Sequence, residues 1–166
     1  GVCQGGTFSA IYTALNPHKV KNLVTMVAPI DFEAGAKSEN GLLFKWSQEM
    51  NIDNMVDAYG VIPGELLNLG FDMLKPFQLM LNKYINIIDN MDSPDTAANF
   101  VRMDKWILDS PDQAGETYRR FIKDFYQENK LVKGTLTISD RVVDLKNITM
   151  PVLTIYGEQD HIVPAS

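Results

Sequence analysis

Cysteine and histidine are scarce in this chain of 166 residues, which contains one cysteine and two histidines. A single thiol excludes an internal disulfide and a cysteine-rich zinc site, and two histidines give little support to another metal site. No apolar run approaches the roughly 18 residues of a membrane-spanning helix, and no signal peptide opens the chain. We therefore expect a cytoplasmic protein that is not transmembrane and holds no metal or cofactor.

Positive charge is also in short supply. Lysine and arginine number 15 against 21 aspartates and glutamates, which gives a net charge of -6. Nucleic-acid binding depends largely on neutralising phosphates, so this balance argues against it. A hydrophobic share of 45% with 22% charged residues is ordinary for a soluble globular protein. The length suits one domain with a core.

Both ends of the chain lack elements that its first motif leads us to expect. The chain opens at Gly1 without an initiator methionine or a preceding strand, and Ser166 follows a loop with no closing helix. We expect it to be an internal fragment of a longer protein.

The opening stretch Gly1-Val2-Cys3-Gln4-Gly5, followed by Gly6, fits the pattern G-x-nucleophile-x-G. This pattern forms a sharp turn from strand to helix at the top of an α/β-hydrolase sheet. A thiol there lies at a helix N-terminus, which favours the thiolate, and the backbone N–H of Gln4 supplies one oxyanion donor. The alternative is that Cys3 is a small buried hydrophobe, as most free cysteines are.

The residues after this turn predict a helix and a buried parallel strand. Phe8, Ile11, Tyr12 and Leu15 have the spacing of one helix face, so a helix is expected from about 6 to 15. The apolar run 23–28, ended by Pro29, favours a parallel strand. Asp31 follows it, either as a site residue at the sheet edge or as a cap of the next turn.

The middle of the chain, from about 33 to 133, is predicted to be helical. We expect an α/β-hydrolase fold, partial in this chain, divided into core elements over 1–32, a mainly helical cap over 33–140, and a core strand with the acid loop over 141–166. Ser110 with Gln113 fits a capping box. Trp106 is expected to pack in the interior or to line a channel. Core faces are predicted for two apolar stripes: Phe77, Met80, Leu81, Tyr84 and Ile88, and then Tyr118, Phe121, Ile122, Phe125 and Tyr126.

The last part of the chain, like the first, predicts a strand followed by a turn and a candidate catalytic residue. Pro151 opens a strand over 152–156, Gly157 turns the chain, and Asp160 follows beyond the strand's carboxyl end. In α/β-hydrolases the triad follows the order nucleophile, acid, histidine. The sequence therefore predicts Cys3 as nucleophile and Asp160 as acid.

Neither histidine suits the third role. His161 is adjacent to Asp160, and neighbours in extended backbone point to opposite sides. His18 falls in the loop beyond the far end of the first helix. We expect the catalytic histidine, and the second oxyanion donor, outside this chain, and hence no catalysis by the chain alone.

Together with these turns, Asp31-Phe32 and the stretches 103–106 and 110–116 resemble polyhydroxyalkanoate synthases, closest to the two-component, short-chain type. The resemblance covers nearly the whole chain. It implies that Cys3 is the nucleophile, that Asp160 is the triad acid, and that the family's histidine follows the acid by a few tens of residues. It further implies a 3-hydroxyacyl-CoA substrate, a growing polyester, a small accessory subunit, self-association, and a place at the surface of polyester granules.

Two other functions stay open on the sequence. A Cys-nucleophile hydrolase, of the thioesterase or dienelactone-hydrolase type, satisfies the same motifs. A non-catalytic partner-binding module would leave the thiol incidental. The phosphates of coenzyme A would need cations, for which the candidates, each also readable as part of a solvated face, are Lys19, Lys21, Arg119, Arg120 and Lys123.

Overall fold

The computed structural model describes residues 1–37, 41–89, 94–160 and 162–163. The chain divides into two compact units, which are described separately: Gly1–Met50 with Arg120–Ser166, and Asn51–Arg119. Among the described residues, no helix combines the length and the apolar character that crossing a bilayer requires.

A parallel sheet organises the first unit. Strand β1 (Leu23–Met26) pairs in parallel with β6 (Val152–Ile155), with Leu23 opposite Val152. On the other side of β1, Val2 forms a parallel bridge with Met26. The strand after the turn at Cys3 and the strand before the turn at Asp160 are therefore neighbours, as expected for an α/β-hydrolase fold. The predicted fold class is confirmed.

Strand β1 ends two residues earlier than the sequence predicts. Val27 has a φ of 44°, a left-handed conformation that a β-branched residue rarely adopts. Its amide nevertheless donates to the carbonyl oxygen of Ile155 at 2.8 Å. The strand is thus ended by a backbone kink at Val27, before Pro29 is reached.

Helix α1 (Gln4–Leu15) lies against β1 with a face of small side chains. Ala10, Ala14 and Thr7 are buried, whereas Phe8 and Tyr12 are about half exposed. Of the predicted face, Ile11 is buried and Leu15 is partly buried, so the prediction was wrong for Phe8 and Tyr12. Small residues let the helix axis approach the sheet closely, and the large aromatic side chains are left at the margin of the contact.

An aromatic core fills the first unit beside the sheet. Phe32 is fully buried, and its ring centroid lies 4.7 Å from that of Tyr126 and 5.5 Å from that of Phe125. Phe44 and Phe121 complete the cluster at 5.8 and 6.2 Å from Phe32. The predicted core stripe around 121–126 is confirmed. Part of it is a π-helix (Ile122–Gln127).

The remaining elements of this unit are short. They comprise α2 (Phe32–Lys37), α3 (Leu42–Glu49), α9 (Lys130–Lys133), 3₁₀ turns at Pro17–Lys19 and Leu145–Asn147, and a hairpin of β4 (Thr137–Ile138) and β5 (Arg141–Val142).

The second unit is mainly helical. Its helices are α4 (Ile52–Tyr59), α5 (Gly64–Asp72), a π-helix (Phe77–Asn82), α6 (Lys83–Asp89), α7 (Pro94–Leu108) and the start of α8 (Gly115–Phe121). A two-residue ladder joins β2 (Val61–Ile62) to β3 (Gln113–Ala114) in antiparallel fashion. Arg119 binds the carboxylates of Asp53 and Asp57 at 2.6 Å and of Glu116 at 3.1 Å, and so links α8 to α4.

Two predictions for this unit were wrong. Ser110 is not a helix N-cap, because α8 begins only at Gly115. The hydroxyl of Ser110 instead donates to the carbonyl oxygen of Ile107 at 2.7 Å, at the end of α7. The other wrong prediction is the core stripe of Phe77, Met80, Leu81, Tyr84 and Ile88, which is exposed at every position, with Phe77 at 74%. Trp106 is 72% exposed and therefore does not pack in the interior of this unit. Helical spacing identifies an apolar face but does not say what covers it.

Candidate active site

Cys3 lies at the turn between the Val2 bridge and α1. Its φ of 50° and ψ of -129° place a non-glycine residue in a strained region of backbone space. The amide of Cys3 donates to the carbonyl oxygen of Met26 at 2.9 Å, and the side chain is exposed. The backbone is therefore fixed by the sheet while the thiol is exposed.

At two of the three glycines around Cys3, neighbouring atoms lie so close that no side chain would fit. A Cβ on Gly1 would overlap the backbone carbonyl oxygen of Gly5, and a Cβ on Gly6 would overlap the Cβ of Ala28. Real Cβ atoms essentially never come within 3.0 Å of a heavy atom outside their own residue and its chain neighbours. A Cβ on Gly5, by contrast, would meet nothing within 4 Å. The turn depends on Gly1 and Gly6, although Gly5 completes the sequence pattern.

Gln4 is the first residue of α1. The first amide N–H groups of a helix have no intrahelical acceptor, and the helix dipole is positive at this end. The Gln4 N–H thus belongs to the positive end of α1, directly after Cys3.

Asp160 follows β6 after a turn in which its amide donates to the carbonyl oxygen of Gly157 at 3.2 Å. Its carboxylate accepts hydrogen bonds from the amides of Ile162 at 2.8 Å and Val163 at 3.0 Å. Because Val2, β1 and β6 are parallel, Cys3 and Asp160 both follow the carboxyl ends of strands at one edge of the sheet. Open α/β sheets bind their ligands at the carboxyl ends of their strands.

Asp31 caps α2. One carboxylate oxygen accepts from the amides of Glu33 and Ala34, each at 3.1 Å, and from the side-chain amide of Asn129 at 2.9 Å. Partial burial acts to raise the pKa of Asp31, but hydrogen bonds from Ala34, Asn129 and Glu33 outweigh it and lower the pKa below its ordinary value. The capping role expected from the sequence is confirmed.

The two histidines differ in what can be said of them. His18 lies in the 3₁₀ turn after the carboxyl end of α1. That helix has 12 residues, and at about 1.5 Å per residue its far end is roughly 18 Å from Cys3. The expectation that His18 cannot serve Cys3 is confirmed. His161 lies outside the described residues.

Comparison with known proteins agrees with this geometry. The family description that matches residues 1–166 is the alpha/beta hydrolase fold. The chain belongs to the α/β-hydrolase fold family.

Within this hydrolase-fold family, the chain is similar to poly(3-hydroxyalkanoate) polymerase subunits PhaC. It is 57% identical to the one from Allochromatium vinosum over 164 residues, covering 99% of this chain and 45% of that protein. It is 59% identical to the one from Synechocystis sp. over 169 residues, again covering 45% of it. A more distant relative from Haloferax mediterranei is 39% identical. The predicted resemblance is confirmed, and the chain spans less than half the length of these relatives.

Sequence reasoning missed two buried polar residues of the hydrolase-fold unit. Thr7 is fully buried, and its hydroxyl donates to the carbonyl oxygen of Pro29 at 2.6 Å. Asn129 is 5% exposed and contacts Asp31, which is 98 positions away in the chain. The G-x-C-x-G-G-T run offers a weak local signal for Thr7. For Asn129 no local pattern encodes a partner so distant.

Two of the five basic residues proposed to bind the phosphates of coenzyme A, Arg119 and Arg120, already form ion pairs with carboxylates of this chain. Arg119 is bound to three carboxylates, and Arg120 binds Asp124 at 3.0 Å. A separate open cavity of about 450 Å³ in the first unit includes neither Cys3 nor Asp160. It is lined by Glu33, Ala36, Lys37, Lys45, Gln48, Tyr126, Gln127, Asn129 and Lys133.

Proposed function

We propose that the whole protein is an acyltransferase that polymerises 3-hydroxyacyl-CoA into polyhydroxyalkanoate, with Cys3 as the nucleophile. One observation carries the proposal. The only thiol of the chain is exposed on the strained strand-to-helix turn of a hydrolase-fold sheet, where this fold holds its nucleophile. The high identity to subunits named as poly(3-hydroxyalkanoate) polymerases supports the substrate class.

The chemistry suits a thiol. The Cys3 sulfur attacks the thioester carbonyl carbon, a new carbon–sulfur bond forms, and the bond to coenzyme A breaks. Coenzyme A leaves with the proton that a histidine outside this chain removes from Cys3. Exchange of one thioester for another keeps the acyl group activated. A hydroxyl of a second monomer or of the growing polyester then attacks the acyl carbon, an ester bond forms, and the bond between the acyl carbon and the Cys3 sulfur breaks. The hydroxyl proton passes through the histidine to the sulfur, which restores the Cys3 thiol.

Other residues have supporting roles in this proposal. The Gln4 N–H stabilises the oxyanion, since donors fixed beforehand are most effective where charge develops. Asp160 orients the histidine or helps to activate the attacking hydroxyl. The helical region 33–140 acts as a cap that limits hydrolysis by water. A small accessory subunit and the granule surface complete the setting that the resemblance implies.

The test uses the whole protein with 3-hydroxybutyryl-CoA and follows both free coenzyme A and insoluble polyester. We expect both products from the wild type and at least a roughly thousandfold loss of coenzyme A release in Cys3→Ala, because the nucleophile is gone. Gln4→Ala is the matched control. It keeps the backbone N–H and should retain most of the activity.

The products separate the synthase from the second candidate, a Cys-nucleophile hydrolase, which the family match also accommodates. Coenzyme A release with free 3-hydroxybutyrate and no polymer would move the function to hydrolysis. Full activity of Cys3→Ala would remove Cys3 from the mechanism.

A further inference from the structure

The loop between β1 and α2, residues 27–31, contacts both the first turn of α1, which follows Cys3, and the end of β6, which leads to Asp160. On the nucleophile side, the hydroxyl of Thr7 donates to the carbonyl oxygen of Pro29, and Gly6 packs against Ala28. On the acid side, the Val27 amide donates to Ile155, the last residue of β6. A displacement of this loop would therefore move the first turn of α1 relative to the strand that leads to Asp160.

Asn129 fixes the far end of the loop. Its amide nitrogen donates to the Asp31 carboxylate at 2.9 Å, and its side-chain oxygen accepts from the amide of Phe32 at 3.2 Å. Asn129 is only 5% exposed, and both polar atoms of its side chain form hydrogen bonds to consecutive residues, Asp31 and Phe32.

The backbone of Asn129 is itself held firmly. It adopts a left-handed conformation with a φ of 50°, which asparagine tolerates better than most residues. Its amide donates to Phe125 in the π-helix at 3.1 Å, and its carbonyl oxygen accepts from Lys133. The aromatic core around Phe125 therefore supplies a rigid base for the contact with the loop.

We propose that Asn129 is a positioning residue for Cys3, acting through Asp31 and the loop 27–31. A strained conformation such as that of Cys3 persists only where its surroundings over-determine it. The contacts of Thr7 and Gly6 with the loop are part of those surroundings, and they hold only while the loop stays in place. The proposal rests on the proposed role of Cys3 as nucleophile.

The test variant is Asn129→Asp in the whole protein. This change keeps the size of the side chain, the tolerance for left-handed backbone and the acceptor for Phe32. It replaces the donor that faces Asp31 with a second carboxylate, which repels the first. We expect kcat for coenzyme A release to fall about tenfold with KM changed less than about threefold, and alkylation of Cys3 by iodoacetamide to slow by a similar factor.

A second-site change provides the rescue. Asp31→Asn in the Asn129→Asp background again places one donor and one acceptor between the two side chains, and the double variant should recover most of both rates. Asn147→Asp is the matched control, because Asn147 donates to the carbonyl oxygen of Ala14 at the opposite end of α1. It should leave both rates unchanged.

A purely structural role predicts a different result. A lower melting temperature for Asn129→Asp, with wild-type kcat and wild-type Cys3 alkylation, would overturn the proposal, as would a double variant without recovery. If Asn129→Asp does not fold, Asn129→Gly carries the same test, since glycine adopts the backbone conformation without strain. Alkylation, read by mass spectrometry on the Cys3 peptide, reports positioning even if Cys3→Ala shows that Cys3 is not the nucleophile.

Discussion

The backbone conformation of Cys3, with its positive φ, depends on nearby glycines, which have no side chain. Gly1 and Gly6 allow α1 and the loop 27–31 to approach the turn from both sides. The amide of Cys3 is meanwhile bound to Met26 of the central strand. At the scale of single residues, the reactivity proposed for the thiol rests on packing next to it as much as on the thiol.

The glycines provide a matched pair of substitutions. Gly6→Ala should lower the free energy of unfolding by about 1–3 kcal/mol, because its Cβ would overlap that of Ala28. Gly5→Ala lies in open space within α1 and should be neutral or stabilise by up to about 1 kcal/mol. Urea unfolding of the whole protein measures both. Equal effects of the two substitutions would show that the packing described around Gly6 is wrong.

Asp31 predicts a pH dependence of stability. Its pKa is lowered on folding, so the ionised form is the one that the fold stabilises. That contribution is fully present above the unfolded pKa of about 3.9 and is lost as the pH falls through the lower folded pKa. Asp31→Asn keeps the acceptor oxygen but not the charge.

The difference in unfolding free energy between wild type and Asp31→Asn should therefore be constant from pH 5 to 8 and should shrink below about pH 4. Denaturant melts at a series of pH values measure it. A difference that stays unchanged down to pH 3 would mean that the carboxylate gains nothing on folding.

At the scale of elements, the sequence predicted those whose signals are local. The strand–turn–helix at Cys3, the parallel character of β1 and the turn before Asp160 all follow from short runs of residue types. The end of β1 did not, because the kink at Val27 accompanies a hydrogen bond to Ile155, which is distant in the chain. The prediction that Ser110 caps a following helix failed as well, because its hydroxyl donates to the preceding helix α7 instead.

The aromatic core offers a test at this scale. Phe32→Ala should destabilise the protein by about 3–5 kcal/mol, because a fully buried ring in contact with four others is removed. Phe77→Ala deletes a ring that is 74% exposed and should change stability by less than about 0.5 kcal/mol. Thermal unfolding compares the two. A large loss for Phe77→Ala would reveal that another part of the whole protein covers this ring.

At the scale of the molecule, β1 has one covered and one uncovered face, whereas β6 is exposed on both faces. Leu23 and Thr25 are buried, on alternate positions of β1, whereas Val24 and Met26 are exposed. Their partners in β6, Leu153 and Ile155, extend the same apolar face. Parallel sheets are ordinarily covered on both faces.

We therefore expect the isolated chain to associate in solution. Leu153→Lys should shift it toward the monomer, because a charge interrupts the exposed apolar face. Val132→Lys is the control, since Val132 is an exposed apolar residue on helix α9 and belongs to neither strand. Sedimentation velocity at several concentrations measures both. A wild-type chain that is monomeric throughout would contradict the expectation.

The pairing of β1 with β6 also has a consequence for biosynthesis. The side-chain oxygens of Thr25 and Thr154 lie 3.3 Å apart, although 129 positions separate them in the chain. At roughly 5–20 residues per second, a ribosome would release β1 on the order of ten seconds before β6. During that interval the nucleophile turn can already form against β1, while the other edge of β1 has no partner and attracts wrong ones. The nascent protein thus forms the turn at Cys3 first, and the exposed edge of β1 remains an aggregation hazard until β6 has been translated.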